Sequence, residues 1–285
     1  MTGSSASAPT ISEPLVLSGP AGTIAVVPAR GAKITSLTDV DGTEWLAPCR
    51  TVMGDPAVFV DAEMGGWDEC APTLTATVLP DGRRLGDHGD VWSEPWQVDP
   101  VGEPVEALVC TVLVDRLGFL LQRTMVATDT GFRFSYRAEL LAEAAPLPFL
   151  WVAHPQFLAP DRIELPGLPS VRQVHPEPTS EPERWDAAAF VRATGARKLW
   201  VWPDEVPSSV TLVRGGSRLT MSWGGDPLRG LALWVDPAEF GPSSVVAVEP
   251  ATGPGDDAGA PQTGAPLLTA ARPLEWWLAV DLIHA

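Results

Sequence analysis

The side chains able to do chemistry cluster in three short stretches: Asp87-His88-Gly89-Asp90, Trp151-Val152-Ala153-His154-Pro155-Gln156-Phe157 and Val246-Ala247-Val248-Glu249-Pro250-Ala251-Thr252. The 285 residues include only four histidines, and two of them fall here. Imidazole exchanges protons near neutral pH and a carboxylate accepts them, so His88, His154 and Glu249 are candidates for general acid–base work. Competing chemistries lack their residues. No two histidines or cysteines lie at metal-ligand spacing, so no metal is expected. Neither GxGxxG nor GxxxxGK is present to cradle a phosphate, and no GxSxG elbow marks a nucleophilic serine. His175, amid prolines and glutamates, and His284, at the extreme end, read as surface residues.

The elements that must carry these groups are strands. Gly131-Phe132-Arg133-Phe134-Ser135-Tyr136-Arg137 places three aromatics on one face and polar groups on the other. Upstream, Leu117, Phe119, Leu121, Arg123 and Met125 alternate with Leu120, Gln122 and Thr124, and Thr128-Asp129-Thr130-Gly131 supplies a turn, so an antiparallel hairpin is expected. Leu274, Trp276, Leu278, Val280 and Leu282 repeat the period of two at the end of the chain. Further strands are expected at Gly22 to Val27, Lys33 to Thr38, Val105 to Val114, Ser209 to Val213, Arg218 to Trp223, Leu231 to Val235 and Ser244 to Val248. Thirty prolines and 26 glycines interrupt long helices, and only Arg184 to Val191 has a helical composition. Many strands with frequent turns predict an all-β sandwich or barrel. Residues 1–13 are expected to be a flexible tail and 14–285 one domain. The Pro/Glu-rich His175 to Glu183 and the Gly/Pro/Ala-rich Gly253 to Pro266 are expected to be mobile surface loops.

Charge narrows the partners. Nineteen Lys and Arg against 36 Asp and Glu leave a net charge of −17, which repels phosphate backbones and anionic membranes. No nucleic acid and no membrane are therefore expected. Met1 to Pro14 has neither a basic start nor an apolar run, and the odd, widely spaced Cys49, Cys70 and Cys110 suit reduced thiols. A cytoplasmic protein is the expectation.

An ordered set of motifs resembles the aldose 1-epimerase (galactose mutarotase-like) superfamily. Gly31-Ala32-Lys33-Ile34-Thr35-Ser36-Leu37 followed by Asp41-Gly42-Thr43-Glu44 is similar to its opening strands. Met64-Gly65-Gly66-Trp67-Asp68-Glu69-Cys70-Ala71-Pro72-Thr73 is similar to its Gly-Gly-Trp and acidic stretch, and the segment from Asp87-His88-Gly89 to Trp96 is similar to its "HG" motif. Ala153-His154-Pro155-Gln156-Phe157 and Val248-Glu249-Pro250 follow in order. The resemblance spans most of the chain after Gly31.

That resemblance implies a sandwich of large antiparallel β-sheets with an open sugar site, and an isomerase that interconverts the α and β anomers of a monosaccharide without a cofactor. Glu249 would be the base for the anomeric hydroxyl, His154 the acid for the ring oxygen, and His88 would bind the sugar beside it. Acidic neighbours are expected to raise the pKa of His154 and hold it as the acid. Trp67 and Trp92, which flank the first histidine motif, are candidates to stack on the sugar, since an indole face suits a pyranose and its N–H reaches a hydroxyl. Asp68, Asp87 and Arg50 are candidate hydroxyl contacts, while Trp151 and Trp276 read as core. Both a monomer and a homodimer stay open.

Three departures from the family pattern bound the specificity. The chain contains no asparagine, so Ala153 stands where the galactose-specific branch carries Asn. The further sugar-contacting aspartate has three candidates, Asp186, Asp204 and Asp236. Arg83-Arg84 could serve a sugar phosphate or be a solvated turn. A carbohydrate-binding or sensing protein that keeps the fold without the chemistry is the alternative, since fold alone does not fix function.

Overall fold

Two large antiparallel sheets account for most of the strand residues in the computed structural model, which describes residues 13–49, 58–62, 64–201 and 203–284. The ten-stranded sheet runs, edge to edge, through Leu15–Gly19, Gly22–Val27, Lys33–Asp39, Trp67–Cys70, Val152–Leu158, Ser244–Ala251, Gly230–Pro237, Arg197–Val201, Ser170–His175 and Glu183–Arg184. The eight-stranded sheet runs through Arg162–Glu164, Ser209–Arg214, Ser217–Gly224, Leu274–His284, Gly131–Leu140, Phe119–Ala127, Ala107–Val114 and Gln97–Val101. Arg50 and residues 1–12 of the expected tail lie outside the described residues. Among the described residues no helix is long and apolar enough to cross a membrane.

The period-two patterns translate directly into this layering. Phe132, Phe134, Tyr136 and Ala138 are buried while Arg133 and Ser135 face outward. Tyr136 stands opposite Trp276 on one side and Arg123 on the other. Phe119–Ala127 and Gly131–Leu140 form the expected antiparallel hairpin. The main hydrophobic cluster takes Trp67, Trp151, Phe157 and Val248 from the ten-stranded side and Phe134, Trp276, Leu278 and Met221 from the other, the arrangement that buries one face of each sheet.

One polar network lies inside this apolar layer. Glu69 projects from Trp67–Cys70 and accepts from Arg123 Nη1 at 2.8 Å and Tyr136 Oη at 3.0 Å on Oε1, and from Trp151 Nε1 at 2.8 Å on Oε2. Arg123 also donates to the Ala32 carbonyl and lies over the Trp96 ring. All four side chains of the Glu69 network are buried. Because every one of these donors is aimed at Glu69, the two sheets are held in one relative position at the strand that carries Asp68.

Two expectations need correction. The helix is shorter than its composition suggested, Ala187–Val191, because Asp186 leaves the helical conformation and accepts from Ala189 N as its N-cap. The Gly253 to Pro266 stretch is not a free loop: the Asp256 carbonyl accepts from Leu74 N at 2.9 Å and Thr75 N at 2.8 Å, and Ala258 and Thr263 are buried. Those backbone bonds fold it inward beside the sheet. Within His175 to Glu183, Thr179 N bonds to the Gln173 carbonyl, and Glu183–Arg184 pairs with Ser170–His175 as an edge strand.

Candidate active site

Strand register assembles the centre of the site. Val152 pairs with Ala251 and Gln156 with Ala247, which brings His154 and Glu249 to the same level between them. On its other side His154 stands opposite Asp68, and Glu249 stands opposite Ala232. Alternate residues share a face, so Ala153 and Phe157 turn into the core while His154 and Glu249 turn to the open face. There His154 Nε2 lies 3.7 Å from Glu249 Oε1. Two ion pairs flank them: the buried Lys33 Nζ to Asp68 Oδ2 at 2.9 Å, and the partly exposed Lys198 Nζ to the buried Glu249 Oε2 at 3.1 Å. Lys198 Nζ also lies 3.0 Å from Asp256 Oδ1.

His154, Glu249, Lys198 and Asp256 line the floor of a cavity of about 340 Å³, within the ~300–1,000 Å³ range of small-molecule sites, while the Lys33–Asp68 pair lies beneath it. One wall is the loop carrying His88. His88 adopts a left-handed conformation (φ 55°), as does Gly89 (φ 74°), and the chain there is tied to the strand-like Ala71 region by His88 N to the Leu74 carbonyl and Asp90 N to the Ala71 carbonyl. His88 Nδ1 lies 3.0 Å from Asp87 Oδ1 and its ring stacks on Phe59 with centroids 4.0 Å apart. Phe59 in turn meets His154 edge-on at 5.2 Å. The opposite wall is aromatic: Trp234 stands opposite Lys198 in register, and packs with His175 and Phe240. Asp236 holds Phe240 there by accepting from Glu239 N and Phe240 N.

A Cβ on Gly89 would sit 2.0 Å from the Ala71 carbonyl oxygen, on a residue that already needs a positive φ. Gly89→Ala is expected to cost at least about 2 kcal/mol of folding stability, read as a lowered urea midpoint.

Burial governs the electrostatics. Glu249 is fully buried and His154 only 6% exposed. Burial pushes the Glu249 carboxyl above its ordinary range, with the Lys198 ammonium opposing the rise. His154 goes the other way: burial, then the positive fields of His88, Lys198 and Lys33, drive it well below 6.5. The expectation that carboxylates would hold His154 in its acid form is therefore corrected, because desolvation dominates and the nearby carboxylates are engaged by Lys33, Lys198 and His88. Asp87 stays below the usual carboxylate range despite partial burial, held by His88 and the Phe59 N–H. Glu249 Oε1 and His154 Nδ1 are buried with no hydrogen-bond partner among the described residues, whereas Glu249 Oε2 has the Lys198 ammonium at 3.1 Å.

The depressed His154 pKa has a measurable consequence. Below about 6.5 the unfolded chain binds a proton that the native chain refuses, so stability falls as pH falls, by up to about 1.4 kcal/mol per unit until the lowered folded pKa is reached. His154→Gln lacks this contribution. The stability difference between wild type and variant, from urea unfolding, is expected to move in favour of the variant between pH 6.5 and 5.

The remaining expectations divide. Asp87, His88, His154 and Glu249 all line the cavity. Trp67 does not: it is fully buried on the core face against Phe134 and Phe157, because it is one residue out of phase with Asp68. Trp92 lies behind the wall, edge-on to Phe59, and donates from Nε1 to the Asp87 and Gly89 carbonyls. It braces the His88 loop and is not a lining residue. Asp68 is on the correct face but buried and bound to Lys33, which removes it as a hydroxyl contact. Arg83 turns to Asp81 and the carbonyls of Ala145 and Pro146, away from the cavity. Of the three aspartates, Asp186 caps the helix and Asp236 caps the Phe240 turn, while Asp204 lies in the short Pro203–Glu205 turn. His175 is corrected from surface residue to cavity wall. Phe59, Lys198, Trp234, Phe240 and Asp256 were not singled out from sequence. Strand register brings in Lys198 and Trp234, which stand opposite each other, with Trp234 opposite Ala247, two residues before Glu249; Phe59, Phe240 and Asp256 arrive on loops.

No family model matches the chain, and no curated protein matches it by sequence. Solved structures do. The Slr1438 protein of Synechocystis sp. PCC 6803 superposes with a TM-score of 0.78 at 17% identity, over 98% of this chain and 99% of that one. A putative aldose 1-epimerase from Escherichia coli K12 gives 0.73 at 17%, over 95% and 99%. A galactose mutarotase-like protein from Lactobacillus casei ATCC 334 gives 0.71 at 17%, over 95% and 100%. At these identities the likeness is one of fold.

Proposed function

We propose that this chain, which has the galactose mutarotase-like fold, is an aldose 1-epimerase that interconverts the anomers of a monosaccharide by acid–base ring opening. The observation that carries the reading is the approach of His154 Nε2 and Glu249 Oε1 to 3.7 Å on the floor of the cavity. In a cyclic aldose the hydroxyl oxygen O1 and the ring oxygen O5 are bonded to the same carbon. An acid and a base that serve them must therefore be neighbours on one side of the substrate. Glycosidase carboxyl pairs instead flank the bond, ~5–9.5 Å apart.

In the fraction of molecules whose His154 carries a proton, which its lowered pKa makes the minor form but the stronger acid, Glu249 Oε1 takes the proton from O1 while His154 gives one to O5; the C1–O5 bond breaks and C1=O1 forms. Rotation about C1–C2 and reclosure, with both proton transfers reversed, give the other anomer. The net effect of opening is to move one proton from imidazolium to carboxylate. In water that transfer runs uphill by about 2 pKa units, about 3 kcal/mol. Burial lowers His154 and raises Glu249, so it narrows this gap and favours the neutral pair that accompanies the open chain. In this reading His88, held by Asp87, and Asp256 exchange hydrogen bonds with sugar hydroxyls, and Trp234, which also lines the cavity, covers an apolar face of the ring.

Exchange NMR on a panel of aldoses and their 6-phosphates tests this. Acceleration of α/β exchange for at least one free aldose is the expected result. Saturable binding with no acceleration for any sugar would select the binding-protein alternative.

A further inference from the structure

Resting on Glu249 as the base, we propose that Lys198 is the positioning residue that keeps this carboxylate deprotonated and decides which of its oxygens meets the sugar. Lys198 Nζ lies 3.1 Å from Oε2, whereas Oε1 is the oxygen 3.7 Å from His154. One oxygen is thus occupied by a cation and the other is turned to the acid. The lysine comes from Arg197–Val201, across the intervening strand Gly230–Pro237. On that strand Ala232 is level with Glu249 and Trp234 with Lys198, so the lysine reaches the carboxylate diagonally across it.

The ammonium is itself anchored. Asp256 Oδ1 lies 3.0 Å from Nζ and accepts from Trp200 Nε1 at 3.3 Å, and the Asp256 carbonyl is fixed by Leu74 N and Thr75 N. The charges facing Glu249 come from every surrounding element: His154 from its neighbouring strand, with Asp68 and Lys33 paired beyond it; His88 and Asp87 from the wall loop; Lys198 and Asp256 from the other side. Among the described residues no other lysine or arginine forms an ion pair with Glu249. A buried carboxylate without a cation takes up a proton, and a protonated Glu249 cannot accept one from O1. Lys198, against the cost of burial, is held protonated by Asp256 and Glu249, and it is the largest influence opposing the rise of Glu249.

The test is direct titration of Glu249 in the full chain, by NMR of glutamate labelled with ¹³C at the side-chain carboxyl. The resonance is assigned by its loss in Glu249→Gln. Lys198→Met is expected to raise the apparent pKa of Glu249 by about one unit or more, and to move the acid limb of kcat/KM for anomer exchange upward with it. Lys198→Arg is expected to restore both. Asp256→Asn, which leaves Lys198 to Glu249 alone, is expected to lower the pKa. An unmoved titration in Lys198→Met overturns the proposal; if that variant does not fold, an unmoved or raised value in Asp256→Asn does so. Because the titration is read without substrate, absence of exchange in the wild type would reject the epimerase reading alone. Normal exchange with an unmoved titration would reject only the role of Lys198.

Discussion

Glu249→Gln is expected to lower kcat/KM for anomer exchange by about 10³-fold, within the ~10²–10⁴ that a positioned acid or base contributes. The amide matches the carboxylate in shape and cannot accept the O1 proton. Lys198 keeps Asp256 as a partner at 3.0 Å, so the cavity floor loses one charge rather than its architecture. Because Glu249 is buried at a strand position, circular dichroism and urea unfolding of the variant provide the control for folding. Binding of the sugar, read by tryptophan fluorescence from the Trp234 side of the cavity, should persist. Exchange NMR at saturating sugar then isolates the proton-transfer step. A variant within threefold of the wild-type rate would remove Glu249 from the chemistry and with it the proposed ring opening.

The second large effect is on stability. Arg123→Met is expected to cost about 3–5 kcal/mol, the range for removing one partner of a buried ion pair. Arg123 and Glu69 are both fully buried with 2.8 Å between Nη1 and Oε1. After the change Glu69 keeps only the Tyr136 and Trp151 donors, and burial already pushes its carboxyl upward. The loss should appear as a lower guanidinium midpoint with unchanged slope. Adding Glu69→Gln is expected to recover a substantial part, since a neutral amide still accepts from Tyr136 and Trp151 and leaves no unpaired charge. A double variant as unstable as Arg123→Met would mean that the arginine acts through packing against Trp96 rather than through Glu69.

Much of the sandwich was legible because its strands are half buried. Leu274 to Leu282 and Phe132 to Ala138 alternate so regularly that only one face of each could be core, and the observed registers pair those faces. Trp67 shows where that reasoning stops. In Trp67–Cys70 all four residues are buried, so no alternation distinguishes the core face, bearing Trp67 and Glu69, from the cavity face, bearing Asp68. Central strands covered on both sides lose the period-two signal, and the site lies on such strands.

The composition and motif order of the chain determined the kind of object: an acidic, strand-rich protein with His88, His154 and Glu249 as its candidate proton-exchanging groups. Which side chains surround them was decided only in three dimensions. Lys198 and Asp256 are far from His88 in the chain, and a solvated lysine and a loop aspartate look the same in sequence as an ion pair set against a buried glutamate. Even the protonation of His154 changed sign between the two views. Sequence neighbours suggested a charged imidazole; burial, with the positive charges around it, pushes it toward the neutral form. The reason is that pKa values follow desolvation and through-space fields, and both are properties of the assembled sheet rather than of any segment within it.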